Sequence, residues 1–399
     1  MAYYHRLGSI PRKRHTQFRQ PDGSLYYEQL VGTLGFSGVS SLLYHRHAPT
    51  RITRIGEPVP YGPVKSDVPL APYHIRPFKG ESTGDDYLSA RKTLLMNKDC
   101  TISICLPRER EMTYFYKNAL ADEIVFIHEG SGELLSQMGR LEVEAGDYVV
   151  IPRTIIHQWK WNEGPVRLLI TESFSPVETV RRYRNHFGQL LEHSPYCERD
   201  IRPPHELFQE SEPGEYLVQI KKEGFLHQYF YDFSPLDVVG WDGYFYPYAF
   251  SIHDFEPITG RIHQPPPVHQ TFETQGFVVC SFVPRLFDYH PLAIPAPYNH
   301  SNVDSDEILY YVAGNFMSRK GIDIASFTIH PSGLPHGPHP GTVEASIGKK
   351  ETHELAVMID TFKPLYLTVE ALELVDQNYP MSWNPDAAPQ APRPADMMD

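Results

Sequence analysis

The sequence is poor in the features that mark several large protein classes. Four cysteines in 399 residues (Cys100, Cys105, Cys197, Cys280) show neither paired zinc spacing nor the density of a disulfide framework. Reduced thiols and a cytoplasmic location are therefore the expectation. No apolar run approaches a membrane span, and none at the N-terminus resembles a signal peptide. Positive charge is scarce. The 36 Lys and Arg against 49 Asp and Glu leave a net charge of −13, which argues against a phosphate-backbone partner. One basic stretch, from Arg6 through Arg12, Lys13, Arg14 and Arg19, reads as a solvated arm or a subunit contact. Helical periods are also few. The best candidate is V-E-T-V-R-R-Y-R-N-H-F-G-Q-L-L at 177–191, with an expected structural role. No H-E-x-x-H or other helical zinc motif occurs.

What is abundant points to strands. There are 25 Tyr and 21 Phe, and Pro (37) exceeds Gly (27), a balance that favours short strands joined by Pro-containing turns. One pattern is used twice. Residues 122–130 read D-E-I-V-F-I-H-E-G, and residues 306–314 read D-E-I-L-Y-Y-V-A-G. About thirty residues later each copy has an apolar strand, then Pro, four residues and His, ending at His157 and His336. A supersecondary unit used twice fixes the architecture. The expectation is an all-β chain with two related barrels.

Only the second copy offers a full set of metal donors: His300, Glu307 and His336. Two imidazoles and one carboxylate with open positions beside them suit non-haem Fe(II). Zinc stays open, because two His and one Glu also serve hydrolytic zinc sites. Glu307, Leu309, Tyr311 and Ala313 share one strand face, so Glu307 points inward if that face is the barrel interior. His300 lies an odd number of positions away. The intervening S-N-V-D-S-D must therefore be a turn or bulge. Asp304 and Asp306 compete with Glu307, but Glu307 starts the apolar strand and matches Glu123; Asp306 reads as a cap or loop residue. In the first copy Glu123 and His157 survive, while Tyr116 stands at the His300 offset. That copy reads as a degenerate barrel that buttresses the other.

Around this set, His269 follows three stiffening prolines in R-I-H-Q-P-P-P-V-H-Q-T-F and is the favoured general base, ahead of His263. His330 can hydrogen-bond a ligand or the substrate; Ile151 takes its place in the first copy. His339 follows the duplicated His336 position and is set aside as a ligand. The aromatic run Tyr244, Phe245, Tyr246, Tyr248, Phe250 reads as core.

Along the chain, the expected organisation is an irregular segment at 1–110, a degenerate first barrel at 111–180 and a helix with linker at 181–240. A metal-binding second barrel at 241–375 and a flexible tail at 376–399 complete it. Strand-like stretches inside the first segment are 24–30 and 100–106.

On these residues the chain resembles the homogentisate 1,2-dioxygenase family of bicupin ring-cleaving enzymes. L-Y-Y-E-Q-L-V-G-T-L-G-F (25–36) with L-L-Y-H-R (42–46) looks like its N-terminal signature. P-Y-N-H (297–300), Glu307 with Gly314, and H-P-S-G-L-P-H-G-P (330–338) look like its iron site. The resemblance implies two double-stranded β-helix (jelly-roll) barrels and Fe(II) bound by His300, Glu307 and His336. It places His269 at the family's acid/base histidine and Tyr298, His330, Phe316 and Arg319 around the substrate. It implies O2 and a small aromatic ring as substrates, homogentisate opened to maleylacetoacetate in Tyr and Phe catabolism, and trimers or hexamers. Phe316 falls where the family has a tyrosine that meets the substrate carboxylate, so gentisate or a substituted hydroquinone is the alternative ring. A cupin isomerase or binding protein is the alternative of another class.

Overall fold

The computed structural model describes residues 9–32, 40–46, 48, 50, 68–78, 83–208, 210, 212–238, 243, 245–316, 318–384 and 386. Arg6, residues 33–36 of the N-terminal signature, the expected boundary at Trp241, Tyr244 and the tail from residue 387 lie outside them.

Each copy of the repeat builds a barrel. In the first, the strands Asp122–Glu129, Asp147–Ile151 and Arg167–Ser173 sit in an eight-stranded sheet. A six-stranded sheet containing Phe115–Asn118, Ser131–Ser136, Gly139–Glu144 and His157–Trp161 faces it. In the second, Asp306–Ala313, Phe327–His330, Leu355–Thr361 and Phe277–Phe282 belong to a seven-stranded sheet. The expected mainly β, two-barrel architecture is present.

Strand parity explains how the barrels pack. Along Asp122–Glu129, Ile124 and Phe126 enter the large core shared by both barrels, whereas Val125 and Ile127 fill the first barrel. Along Asp306–Ala313, Ile308, Tyr310 and Val312 enter that shared core, while Glu307, Leu309 and Tyr311 line the second barrel's cavity. A period of two sends alternate residues to opposite faces. The two barrels therefore stand back to back, each with its duplicated glutamate inside.

The duplication extends to the loops. Asp306 accepts the backbone N–H of Ser332 (2.7 Å) and of Leu365 (2.7 Å); Asp122 accepts those of Arg153 (3.0 Å) and Val177 (3.0 Å). Each buried carboxylate ties two loops to the start of the repeat strand, and charge-assisted bonds of this kind are strong.

Several expectations need correction. Residues 1–110 are not merely irregular. Tyr27–Gly32 pairs in parallel with Asn299–Asn302, Tyr73–Ile75 extends the second barrel's sheet, and Arg91–Met96 and Cys100–Cys105 lie in the first. The helix expected at 177–191 is absent. Glu178–Thr179 pairs with Phe272–Glu273, Arg181–Tyr183 forms one 3-10 turn, and Gly188 has φ +89°. Val177, Thr179 and Val180 are β-branched and favour extended backbone. A strand followed by one turn buries Val180 and Tyr183 just as a helix would. The linker at 181–240 contains a long hairpin, Pro213–Lys222 and Phe225–Phe233, joined through Glu223 and Gly224, both at positive φ. Residues 376–384 are ordered: Tyr379, Met381 and Trp383 are buried.

Asp122→Ala removes the carboxylate that accepts two backbone N–H groups, together with the Arg153 ion pair. Urea unfolding is expected to show a loss of about 2–4 kcal/mol, with the metal affinity of the second barrel unchanged.

Candidate metal centre

The backbone brings the two histidines together before any side chain acts. His300 N–H donates to the His336 carbonyl (2.7 Å), and His336 N–H donates back to that of His300 (2.9 Å). The residues between His300 and Glu307 leave the strand as a turn at 303–304, so both side chains reach one face. A Cβ on Gly337 would stand 2.4 Å from Asn299 Oδ1 and 2.7 Å from its Cα, so only glycine fits beside His336.

Each imidazole presents Nε2 inward. His300 Nδ1 meets the Tyr298 carbonyl (3.0 Å) and His336 Nδ1 that of Leu334 (3.1 Å), which places the proton on Nδ1 and a lone pair on Nε2. His336 Nε2 is buried with no hydrogen-bond partner. One donor atom from each of His300, Glu307 and His336 lies within 4.8 Å of the others. Two lone pairs and a carboxylate facing one point fit a divalent cation, and they fit Fe(II) with open positions beside it.

A chain of hydrogen bonds sets the orientation of Glu307. His330 Nδ1 lies 2.8 Å from Glu307 Oε1, and His330 Nε2 lies 3.0 Å from the Tyr379 hydroxyl. With the carboxylate as acceptor, His330 donates through Nδ1 and accepts the Tyr379 proton at Nε2. Glu307 Oε2 is left toward His300 Nε2, at 3.2 Å. His330 thus holds the carboxylate and is outside the ligand set. Trp383 Nε1 donates to the Gly337 carbonyl (2.9 Å), and Ser382 Oγ meets His339 Nε2 (3.1 Å). The segment expected as a tail closes the site from behind.

Electrostatics follow from this packing. Burial opposes the charge of Glu307, but His336, with His300 and His330 close beside the carboxylate, outweighs it and holds its pKa well below the usual carboxylate range. Burial, with His300 beside it, brings His336 down to about 4, so its ring is neutral and ligand-competent near pH 7. Asp360, opposite Glu307 on the next strand, is buried with neither oxygen hydrogen-bonded. Burial and the Glu307 charge push its pKa well up, which keeps it a neutral acid.

A cavity of about 150 Å³ opens onto two of the three donors, His300 and Glu307. Its walls include Leu309, Tyr311, Phe316 and Met358, with His263, His269, Tyr298 and Arg319 among the polar groups. His263 Nδ1 lies 3.2 Å from Asp288 Oδ2. His269 packs on Phe282 at 4.5 Å, with Nδ1 buried and unpartnered. Burial, then Arg285 and His263, drive the His269 pKa well down; burial also lowers that of His263, against Asp288, which raises it. Arg319 donates to the Gly337 carbonyl and lies over Trp383 at 5.7 Å. Its Nε is buried without a partner, and no salt bridge joins it to a carboxylate among the described residues. Phe316 packs edge-on against Tyr311 at 4.5 Å. Sequence reasoning did not single out Asp288, Asp360, Tyr379 or Trp383, whose roles depend on contacts across the fold.

The first barrel answers the same geometry differently. Tyr116 pairs with His157 where His300 bridges His336, and its hydroxyl donates to Glu123 (2.9 Å). Arg91 reaches Glu123 (2.8 Å) and Glu172 (3.1 Å), and Lys221 also binds Glu172. Glu172 holds the register that Asp360 holds in the second barrel. Burial disfavours the Glu123 charge, but Arg91 more than offsets this and depresses its pKa. His157 keeps the ligand posture, Nδ1 on the Ile155 carbonyl (3.0 Å) and Nε2 unpartnered. Fixed cations occupy the place of an ion.

His300→Ala is expected to abolish stoichiometric metal uptake by calorimetry of the metal-free protein. Tyr379→Phe should keep the fold yet weaken metal affinity about 10- to 100-fold, since the His330 orientation is lost.

Known proteins resemble this chain along most of its length. The family profile described as Homogentisate 1,2-dioxygenase N-terminal matches residues 89–252. A protein named "Putative dioxygenase" from Saccharolobus solfataricus is 42% identical over 387 residues, covering 96% of this chain and 99% of that one. Homogentisate 1,2-dioxygenase from Bradyrhizobium diazoefficiens is 28% identical over 65% of this chain and 59% of its own length. That from Rhodopseudomonas palustris is 26% identical over 68% and 62%. The match thus spans about three-fifths of those two relatives. Among solved structures, a cupin 2 conserved barrel domain protein from Leptotrichia buccalis aligns over 68% of this chain and 89% of its own, at 9% identity and TM-score 0.30. With 42% identity along nearly the whole length of one relative and the profile match across the first barrel, the chain belongs to the homogentisate dioxygenase family.

Proposed function

We propose that this dioxygenase uses Fe(II), held by His300, Glu307 and His336, to open a para-dihydroxylated aromatic ring that carries an anionic side chain, with homogentisate the favoured substrate. The observation that carries the reading is the pairing of the three inward donors with a buried guanidinium, Arg319, on the wall of the cavity that His300 and Glu307 also line. A buried cation without a carboxylate partner is costly, and a substrate carboxylate would satisfy it. Iron, when bound, supplies the electron transfer between ring and O2, and both oxygen atoms enter the ring-opened product.

The remaining work falls to the chain. Leu309, Phe316 and Met358 form apolar walls that favour a flat ring and exclude water. A phenolic proton must leave for the ring to become electron-rich, and two imidazoles line the cavity. The sequence points to His269, but burial without a counter-charge makes it a weak proton acceptor. His263 has Asp288 at Nδ1, which fixes the tautomer, leaves Nε2 as acceptor and stabilises the imidazolium. We assign the proton to His263 and a substrate-contact role to His269.

Phe316 supports a second ring. Where the family has a hydroxyl, this wall is hydrocarbon, which suits the shorter carboxylated ring of gentisate. No helix among the described residues is long and apolar enough to cross a membrane, and the four cysteines are free thiols. A cytoplasmic enzyme that assembles as a trimer or hexamer completes the proposal.

Oxygen-electrode measurements on anaerobically prepared, Fe(II)-loaded protein are expected to show uptake with homogentisate or gentisate. Metal binding without uptake on any ring would place the chain among cupin isomerases or binding proteins. Arg319→Met should raise KM for the carboxylated ring about 10- to 100-fold and leave hydroquinone turnover unchanged. His263→Gln should keep metal and lower kcat on the order of 100-fold or more, while His269→Gln should change kcat less. The reverse ranking would return the base to His269.

A further inference from the structure

The hairpin at 213–233 presents a surface that the oxygenase reading leaves unused. Its second strand, Phe225–Phe233, is the outermost of the six-stranded sheet. Both of its faces are open: Phe225 is 68% exposed, Phe230 60%, Tyr229 56%, Leu226 49% and Phe233 44%. Alternation places Phe225, Tyr229 and Phe233 on one face and Leu226 and Phe230 on the other. No other stretch among the described residues exposes large apolar side chains at this density.

Two physical costs meet here. An edge strand nine residues long offers a row of unpaired N–H and C=O groups, which folded proteins ordinarily blunt with charge, proline or a covering element. This strand has one charged residue, Asp232, and no proline. The exposed side chains add apolar area on the order of 500 Å² per chain, at the upper end of what a monomer leaves in water.

The occupant can be argued from charge and area. The whole chain carries −13, so two copies repel on most of their surface. Residues 213–233 hold two lysines against three acids, a balance of −1, which makes the hairpin a place where copies approach without that penalty. Counted over both sides of the strand, two copies together bring on the order of 1,000 Å² of such area, near the size at which specific association begins, and pairing edge to edge continues both faces at once. A strand edge is also satisfied by another strand edge, and this chain supplies one. We propose that the Phe225–Phe233 strand is a docking surface for a second copy of this chain, with edge hydrogen bonds and the aromatic side chains both contributing. The proposal deepens the assembly reading above and does not depend on the iron chemistry.

Light scattering coupled to size exclusion tests it with the full-length chain and a Phe225→Glu/Phe230→Glu variant, both also assayed for metal uptake. Wild-type protein at micromolar concentration is expected to run at a multiple of 45.8 kDa. The variant should dissociate at concentrations on the order of 100-fold or more higher, with metal uptake retained. A wild-type monomer overturns the assembly reading and this proposal together. An assembled variant overturns the hairpin assignment alone. Wild-type monomer that pellets with phosphatidylcholine vesicles, when the variant does not, overturns it in favour of a lipid surface.

Discussion

A carboxylate sealed inside a β-barrel needs a counter-charge, and the two barrels of this chain meet that need in different ways. Glu123 and Glu307 occupy the same register of the same repeat, and both are buried. Around Glu123 the counter-charge is built in: Arg91 and Lys221 balance Glu123 and Glu172. Around Glu307 the acidic neighbour is shortened to Asp360, kept neutral, and the facing groups are imidazoles with inward lone pairs. An ion is the natural complement of the second arrangement and redundant in the first. The two barrels differ here by a handful of exchanges: Tyr116 against His300, Ile151 against His330, Glu172 against Asp360.

The supports of the chemical barrel come from distant parts of the chain. The reciprocal backbone bonds between His300 and His336 fix the two imidazoles, and Tyr27–Gly32 reinforces the His300 strand in parallel. Tyr379 and Trp383 hold His330 and Gly337 from the C-terminal side. Because packed interiors are dense and resist small displacements, such supports keep donors in place before an ion arrives. Away from Glu307, the cavity wall carries charge at Arg319 and the Arg285–Glu354 pair, among apolar side chains.

Much of this was legible because strand period and duplication are local signals. The inward face of Glu307 and the turn after His300 follow from parity and from comparing two copies, whereas Asp306, read as a cap or loop residue, is a buried strand residue that ties down two loops. The features that were not legible rest on long-range pairing. Arg91 meets Glu123 from 32 positions away, and Tyr73–Ile75 finds its partner strand at 327–330. The 177–191 segment matched a helical period, yet the sheet edge at Phe272–Glu273 captured its start as a strand. Residues 376–384 read as tail because Pro, Ala and Asp dominate 385–396, although Tyr379, Met381 and Trp383 carried the apolar signal. Composition averaged over 376–399 hid three buried side chains.

The central claim is that one barrel holds an ion and the other holds its own cations. Metal stoichiometry after anaerobic loading with Fe(II) and removal of loose metal measures this directly. The account predicts one iron per chain in the native protein and none in Glu307→Gln. Two irons per chain, or one that survives Glu307→Gln, would contradict it.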